Sequence, residues 1–148
     1  MSLQLRITEE LKASMVARNA DRTGALRLIK SAVGYAQIEK KTDQLADPDI
    51  VAVLQKEAKK RHNSITEYAA AGREELADKE RAELAIIEEF LPRALPADQL
   101  EALVQAVIAE IGATSKKDMG AVMKAASARA AGQADGKTLS TIVSRLLP

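Results

Sequence analysis

The chain has 148 residues, of which 47% are hydrophobic and 29% are charged, a composition typical of a folded domain. Its 22 basic and 21 acidic residues leave a net charge of +1, so composition alone indicates no highly charged partner. The absence of cysteine excludes disulfides and thiolate metal sites, and the single histidine excludes a pair of histidine ligands within one chain.

The first residues differ from a targeting segment. Met1–Arg18 is amphipathic and contains Glu9 and Glu10, unlike a secretory leader. No apolar run approaches the ~18 residues that span a bilayer. We therefore expect a cytoplasmic protein without a membrane partner, a metal or a cofactor.

Apolar residues recur with helical spacing through the N-terminal part. The first helix is predicted by a stripe of four residues: Leu3, Ile7, Leu11 and Met15. The second helix follows an interruption at Asn19–Gly24 and is marked by four more: Leu26, Ile29, Val33 and Ala36. Asp47 as an N-cap and Pro48 at the first helical position start a third helix, which ends near Gly72. A fourth helix is predicted from about Glu74 to Phe90.

Two prolines separate a second subdomain. Leu91-Pro92 and Leu95-Pro96 bracket a stretch that a regular helix cannot cross, so we predict subdomains at 1–92 and 97–148 with a linker at 92–96. A fifth helix ends at Gly112, Thr114 or Ser115 caps a sixth, and a short seventh follows the break at Gly132–Gly136. No stretch alternates with a period of two. The predicted fold is all-α and multihelical, with a four-helix N-terminal part and a small three-helix C-terminal part.

The segment from Ala131 to Thr138 resembles a phosphate-binding loop in its last three residues and their spacing. Such a loop requires a preceding buried strand, whereas Lys124–Ala130 is helical and rich in alanine. We predict an inter-helix turn without ATP binding. A weaker alternative remains, because a helix N-terminus at Gly136–Thr138 can accept a phosphate of a nucleic-acid backbone on its free N–H groups.

Charged residues cluster on the third and fourth helices. Gln55–Asn63 contains four basic groups and is interpreted either as a solvated face or as a phosphate-contacting surface. Arg61 or His62 falls where the apolar stripe of the third helix requires its next member. The acidic stretch Arg73–Glu83 alternates in sign and is interpreted as an exposed face with ion pairs, not as a metal or acid–base site.

An ordered set of short motifs resembles the GatB/YqeY family over essentially the whole chain. The N-terminal motifs are Val53–Glu57, Lys60-Arg61, Ser64-Ile65, Tyr68, Ala71–Arg73, Leu76-Ala77, Lys79-Glu80, Glu83-Leu84 and Phe90–Pro92. The C-terminal motifs are Ser115–Met123 and Gly132–Lys137. The alanine-rich Ala125–Ala131 is less similar to the family than its flanks.

The resemblance implies an all-helical protein with two subdomains. The same module forms the C-terminal tail of the B subunit of tRNA-dependent amidotransferases, which convert misacylated Glu-tRNA or Asp-tRNA to Gln-tRNA or Asn-tRNA with glutamine as amide donor. In those complexes the tail helps to hold tRNA, while other domains carry out the phosphorylation and the amide transfer. The family is associated with carbon–nitrogen ligase activity, but this chain offers no glutaminase nucleophile and no room for a catalytic domain.

We therefore expect a non-catalytic accessory module that binds tRNA weakly. The residues expected to contact phosphates are Lys116, Lys117, Lys124, Arg129 and Lys137, with a secondary set of Lys56, Lys60, Arg61 and Arg73. The alternative is a protein–protein interaction module that docks on a synthetase, an amidotransferase subunit or a second copy. A self-sufficient amide-transfer enzyme is the third hypothesis. Clustering of the basic side chains on one exposed surface favours the first hypothesis, and dispersed, paired side chains favour the second.

Overall fold

The computed structural model describes residues 1–148 and confirms the all-α prediction. Its seven helices are α1 (Leu3–Val16), α2 (Ala20–Lys40), α3 (Asp47–Ala70), α4 (Glu74–Glu88), α5 (Ala97–Ile111), α6 (Met119–Ala130) and α7 (Gly136–Leu146). A 3-10 turn at Lys116–Asp118 precedes α6. The chain divides into two compact units, Met1–Leu91 with α1–α4 and Pro92–Pro148 with α5–α7. No helix is both long and apolar enough to cross a membrane.

The core of the N-terminal unit is aliphatic apart from Phe90. Twelve buried side chains form it: Ile7, Leu11, Leu26, Ile29, Val33, Leu45, Ile50, Leu54, Ala58, Leu84, Ile87 and Phe90. The placement of Met15 on this stripe is wrong, since its side chain is 45% exposed. Residues four apart rotate by about 40° per step around a helix, so the fourth member of the stripe leaves the buried face.

Ser14 takes the buried position that the stripe assigned to Met15. Its hydroxyl donates to the carbonyl of Leu11 at 2.7 Å, and the Thr23 hydroxyl lies 2.8 Å from it. Both hydroxyls are buried, and this pairing satisfies them because α1 packs against α2. The contact joins residues on two helices, so helical spacing within one of them does not predict it.

The predicted interruption at 19–24 is too long. Asn19 caps α2, since its side-chain oxygen accepts from the Arg22 N–H at 3.2 Å, and only residues 17–19 separate α1 from α2. Gly24 lies inside the helix, at a position where an added Cβ meets nothing within 4 Å. A helical glycine costs about 1 kcal/mol relative to alanine, and burial of Ala25 and Leu26 beside it outweighs that cost.

Asp47 caps a different helix from the one predicted. Ala46 is the N-cap of α3, and Asp47 is already helical. The Asp47 carboxylate instead accepts from the backbone N–H of Leu3 at 2.9 Å, which satisfies one of the free amides at the start of α1. Gln4 also reaches the 41–46 loop, where it accepts from the Leu45 N–H and donates to the Asp43 carbonyl. These bonds hold the loop against α1.

Arg22 links three helices of the N-terminal unit. Its guanidinium bonds to Glu10 of α1 at 3.0 Å and to Glu89, just after α4, at 2.7 Å. Arg6 donates to the Glu89 carbonyl and stacks over the Phe90 ring at 4.9 Å. The guanidinium of Arg22 lowers the pKa of the Glu89 carboxyl below its ordinary value, because it donates to the ionised form.

The Arg22→Gln variant tests this ion pair. We expect the pKa of Glu89 to rise toward the ordinary value of a glutamate in the variant, as measured by NMR titration of its side-chain carboxyl carbon. A lowered carboxyl pKa stabilises the fold above the unfolded-state pKa and loses that contribution as pH falls through the folded-state value. The free energy of unfolding of the wild type should therefore be larger than that of the variant by about 1 kcal/mol at pH 7, and the difference should be smaller at pH 3.

Arg81→Gln is the matched control for that titration. Arg81 bonds to Glu74 and Asp78 on the exposed side of α4 and does not touch Glu89. An unchanged Glu89 pKa in Arg22→Gln, or an equal change in Arg81→Gln, would show that Arg22 does not set the protonation of Glu89.

The C-terminal unit packs three helices around an aliphatic core. Its buried cluster is Leu100, Val104, Val107, Val122, Ala126, Ala130, Leu139, Ile142, Val143 and Leu147. Gly112 ends α5 in the left-handed conformation, with φ +73°, as predicted from its position after the last apolar residue. Two ion pairs bind α5 to its neighbours: Arg129 of α6 with Glu110, and Arg145 of α7 with Glu101 at 2.8 Å.

Residues 92–96 lie outside the helices, and Arg93 and Ala94 are exposed. The Leu95 N–H donates to the Gln133 carbonyl at 2.9 Å. The peptide bond between Arg93 and Ala94 therefore lies just before the first residue of this segment that is hydrogen-bonded to the C-terminal unit. We expect limited trypsin digestion to cleave after Arg93 first and to leave fragments 1–93 and 94–148, read by mass spectrometry. Earlier cleavage after Lys41 would contradict this expectation, because Gln4 and Gln37 restrain that loop.

Candidate nucleic-acid interface

Four lysines of the C-terminal unit are exposed and make no ion pair: Lys116, Lys117, Lys124 and Lys137. Lys116 and Lys117 lie in the 3-10 turn, which Ser115 caps by accepting from the Lys117 N–H at 3.3 Å. The Asp118 carboxylate accepts from the Thr114 N–H at 3.0 Å, so it closes the same turn. The sequence around the first two lysines therefore fixes their backbone while their side chains stay in solvent.

Lys117 lies in the 3-10 turn that leads directly into α6, and Lys124 lies on the outer face of α6 itself. The inner face carries Val122, Ala126 and Ala130, all fully buried, and Lys124 lies on the opposite side of the helix. Lys117 precedes Lys124 by seven residues, two turns or about 11 Å along the axis. The exposed residues between the two lysines are small: Gly120 and Ala121.

Arg129 does not contribute a free charge to this face. Both of its terminal nitrogens donate to the Glu110 carboxylate, and the guanidinium lowers the pKa of that carboxyl. Lys137 lies in the first turn of α7, after the inter-helix turn that follows α6. The spacing of seven residues therefore puts Lys117 and Lys124 on the same side of the turn and helix, with Lys116 adjacent, and Lys137 follows after the next turn.

The segment resembling a phosphate-binding loop is an inter-helix turn, as predicted. Helix α6 precedes it, and Ala131 and Gly132 adopt left-handed conformations with φ of 48° and 84°. Asp135 caps α7 by accepting from the Thr138 N–H at 2.6 Å. Because that carboxylate occupies the helix N-terminus and carries a negative charge, the weaker expectation of a phosphate on these N–H groups loses its support.

The secondary basic set is dispersed and largely paired. Lys56 is exposed and makes no ion pair, whereas Lys60 bonds to Glu57 at 3.1 Å and Arg73 bonds to Glu75 at 2.9 Å. Arg61 is only 13% exposed in its side chain and is not a free surface charge. Of these four residues, Lys56 alone retains an exposed charge without a carboxylate partner.

Arg61 lies between three carboxylates of α3 and α4. It is 3.2 Å from Glu57, 3.5 Å from Glu80 and 3.0 Å from Glu83. The apolar stripe of α3 had predicted that Arg61 or His62 lies on the packed side. The interpretation of the acidic stretch as an exposed face is wrong for Glu80 and Glu83, since both are half-buried against the guanidinium. No group of three or more His, Asp or Glu side chains is arranged to hold a metal ion.

Arg61→Gln should destabilise the N-terminal unit by about 2–3 kcal/mol, because it leaves three half-buried glutamates without their shared cation. The measurement is urea unfolding at pH 7 monitored by circular dichroism. Lys56→Gln is the control, since it removes an exposed, unpaired charge from the same helix and should change stability by no more than about 0.5 kcal/mol. Equal stabilities of the two variants would contradict a structural role for Arg61.

An exposed apolar face on α2 was not predicted from the sequence. Tyr35 and Ile38 are 76% and 75% exposed, and Leu28 on the same face is also exposed. The signal was available, because Leu28, Tyr35 and Ile38 follow helical spacing on the side opposite the buried stripe. Tyr35 lines a shallow groove between α2 and α3 together with Ala32, Val53 and Lys56.

These features define an all-helical protein of two compact units, with unpaired lysines on the second unit. A family model described as Yqey-like protein matches residues 4–147, and the chain belongs to this family. The predicted GatB/YqeY resemblance is thus confirmed, and membership supports a domain resembling the GatB tail. The chain is also similar to an uncharacterized protein of Schizosaccharomyces pombe, with 34% identity over 91 residues that cover 62% of this chain and 73% of that protein.

Proposed function

We propose that the protein is a non-catalytic accessory module that binds tRNA through phosphates of the RNA backbone. The observation that supports this most directly is that, on the helices of the C-terminal unit, the arginines form ion pairs and the lysines do not. Lys116, Lys117, Lys124 and Lys137 are exposed without carboxylate partners, whereas Arg129 and Arg145 are tied to α5. Free lysine side chains are available to neutralise phosphates, and membership of a GatB-tail-like family makes tRNA the expected RNA.

Charge sets the expected strength of binding. Residues 92–148 hold seven basic and five acidic groups, and the whole chain has a net charge of +1. A few phosphate contacts without a strong overall field favour weak binding that falls steeply with salt. Lys56 is the member of the secondary set best placed to add a contact, while Lys60, Arg61 and Arg73 are engaged with glutamates.

The triple variant Lys116→Gln/Lys117→Gln/Lys137→Gln tests the proposal. Each lysine that contacts a phosphate releases about one counterion. The slope of log affinity against log salt concentration should therefore become less negative by up to about three in the variant. Affinity for total tRNA should fall, and different tRNA sequences should be affected similarly because phosphate contacts do not read bases. The measurement is filter binding across a salt series that starts near ~50 mM.

The matched control is Lys12→Gln/Lys30→Gln/Lys79→Gln. These three lysines of the N-terminal unit are also exposed and unpaired, so the control changes net charge by the same amount. It should leave the salt dependence close to that of the wild type. If both triple variants change the salt dependence equally, binding depends on the overall charge and not on these lysines. If the wild type shows no salt-dependent association with tRNA, the proposal is overturned.

Docking on a synthetase or an amidotransferase subunit is the second candidate function. The exposed face of α2 favours it, because Leu28, Tyr35 and Ile38 present large apolar side chains to solvent. Ser31 and Gly34 lie beside them, and an added Cβ at Gly34 would meet nothing within 4 Å. An apolar stripe with small residues is the kind of surface on which an amphipathic helix packs. A wild type that does not associate with tRNA would make this the better-supported function.

A further inference from the structure

The helices of the C-terminal unit carry no aromatic side chain and no unpaired arginine; Arg93, in the segment before α5, is the exposed arginine of this unit without a carboxylate partner. All three aromatic residues of the chain, Tyr35, Tyr68 and Phe90, lie in the N-terminal unit. The two arginines on the helices of the C-terminal unit, Arg129 and Arg145, are held in ion pairs with α5. Recognition of single-stranded RNA generally uses aromatic rings or guanidinium planes on which bases stack. The exposed lysines offer point charges for phosphates instead.

The exposed residues between Lys117 and Lys124 have small side chains or none. Gly120 and Ala121 are exposed there, whereas the two long apolar side chains between the lysines, Met119 and Met123, are half-buried. Gly120 does not have a positive φ, and an added Cβ would meet nothing within 4 Å. The fold therefore does not require glycine at this position, although glycine lowers helix stability by up to about 1 kcal/mol relative to alanine. The four residues Lys117, Gly120, Ala121 and Lys124 are called the α6 lysine face below.

We infer that the α6 lysine face binds a double-helical RNA stem, an inference that rests on the proposed tRNA-binding function and specifies the part of the RNA involved. A-form RNA exposes phosphates and 2′-hydroxyls around a wide, shallow minor groove, and proteins read it largely by shape. The two lysines, whose backbones are about 11 Å apart along the helix axis, contact phosphates, and the small side chains between them let the helix approach the groove. Recognition is independent of sequence, because these residues contact the backbone.

The test compares a 16-base-pair RNA duplex of mixed sequence with one of its strands, chosen to be unstructured. Fluorescence anisotropy at about 50 mM salt should show the wild type binding the duplex about tenfold tighter than the strand. A duplex also carries a denser charge, so this difference alone does not establish contact through the α6 lysine face. A variant that changes shape without changing charge separates the two effects.

Gly120→Gln provides that variant. It adds a long neutral side chain at an open helical position, so the melting temperature should stay the same or rise. Duplex affinity should fall at least about fivefold, whereas the weak affinity for the strand should stay unchanged. Gly34→Gln is the matched control, since Gly34 is also helical with open space at its Cβ but lies in the N-terminal unit. It should leave both affinities unchanged.

Several outcomes would overturn the inference, and they differ from failure of the proposed function. Equal affinity for strand and duplex, or unchanged duplex affinity in Gly120→Gln, would remove duplex recognition by this face while tRNA binding stands. Binding of tRNA without binding of the 16-base-pair duplex would have the same consequence. Absence of salt-dependent binding to tRNA and to both probes would overturn the proposed function together with the inference.

Discussion

The guanidinium of Arg61 joins α3 to α4 within the N-terminal unit. It donates to Glu57 and Glu83 and also lies 3.5 Å from Glu80, so one cation holds three half-buried carboxylates together. Arg22 acts similarly between Glu10 and Glu89, and Arg129 and Arg145 join α5 to α6 and α7. The planar guanidinium suits such contacts because it donates in several directions at once. Inter-helix ion pairs therefore engage these arginines and leave most lysines in solvent.

On the helices of the C-terminal unit, the pairing of both arginines leaves the lysines as the charges available to an anionic partner. The overall charge of +1 gives no indication of a surface for such a partner. Counting Arg61 and Arg129 as surface charges would also misplace it, because both are paired with glutamates. Once paired groups are set aside, Lys116 and Lys117 before α6 and Lys124 on it remain as exposed charges that are close in sequence, and Arg93 remains in the segment before α5. Membership of the Yqey-like family supports an accessory role, and the free lysines favour RNA as the partner. The apolar face of α2 is a separate feature, which suits a protein partner.

Much of the fold follows from local sequence signals. Helical spacing predicts the helices, Gly112 ends α5 in the expected conformation, and the polypeptide leaves helical structure between Pro92 and Pro96. The errors involve contacts between distant residues: Ser14 with Thr23, and Asp47 with Leu3. Local propensity also failed at Gly24, where packing of the adjacent residues continues the helix. For the site, the sequence identified the lysines but could not show which basic groups have carboxylate partners, since Arg61 and Arg129 pair across helices.

The most direct measurement of the central claim is a titration of isotope-labelled protein with unlabelled tRNA at low salt, followed by backbone amide NMR. If lysines around α6 bind RNA, the amide signals of residues 115–124 and of Lys137 should shift, and those around Arg61 should not. Because phosphate contacts are electrostatic, the shifts should disappear as salt is raised. Shifts confined to the face of α2 that carries Tyr35 and Ile38, or shifts that persist unchanged at high salt, would contradict the account.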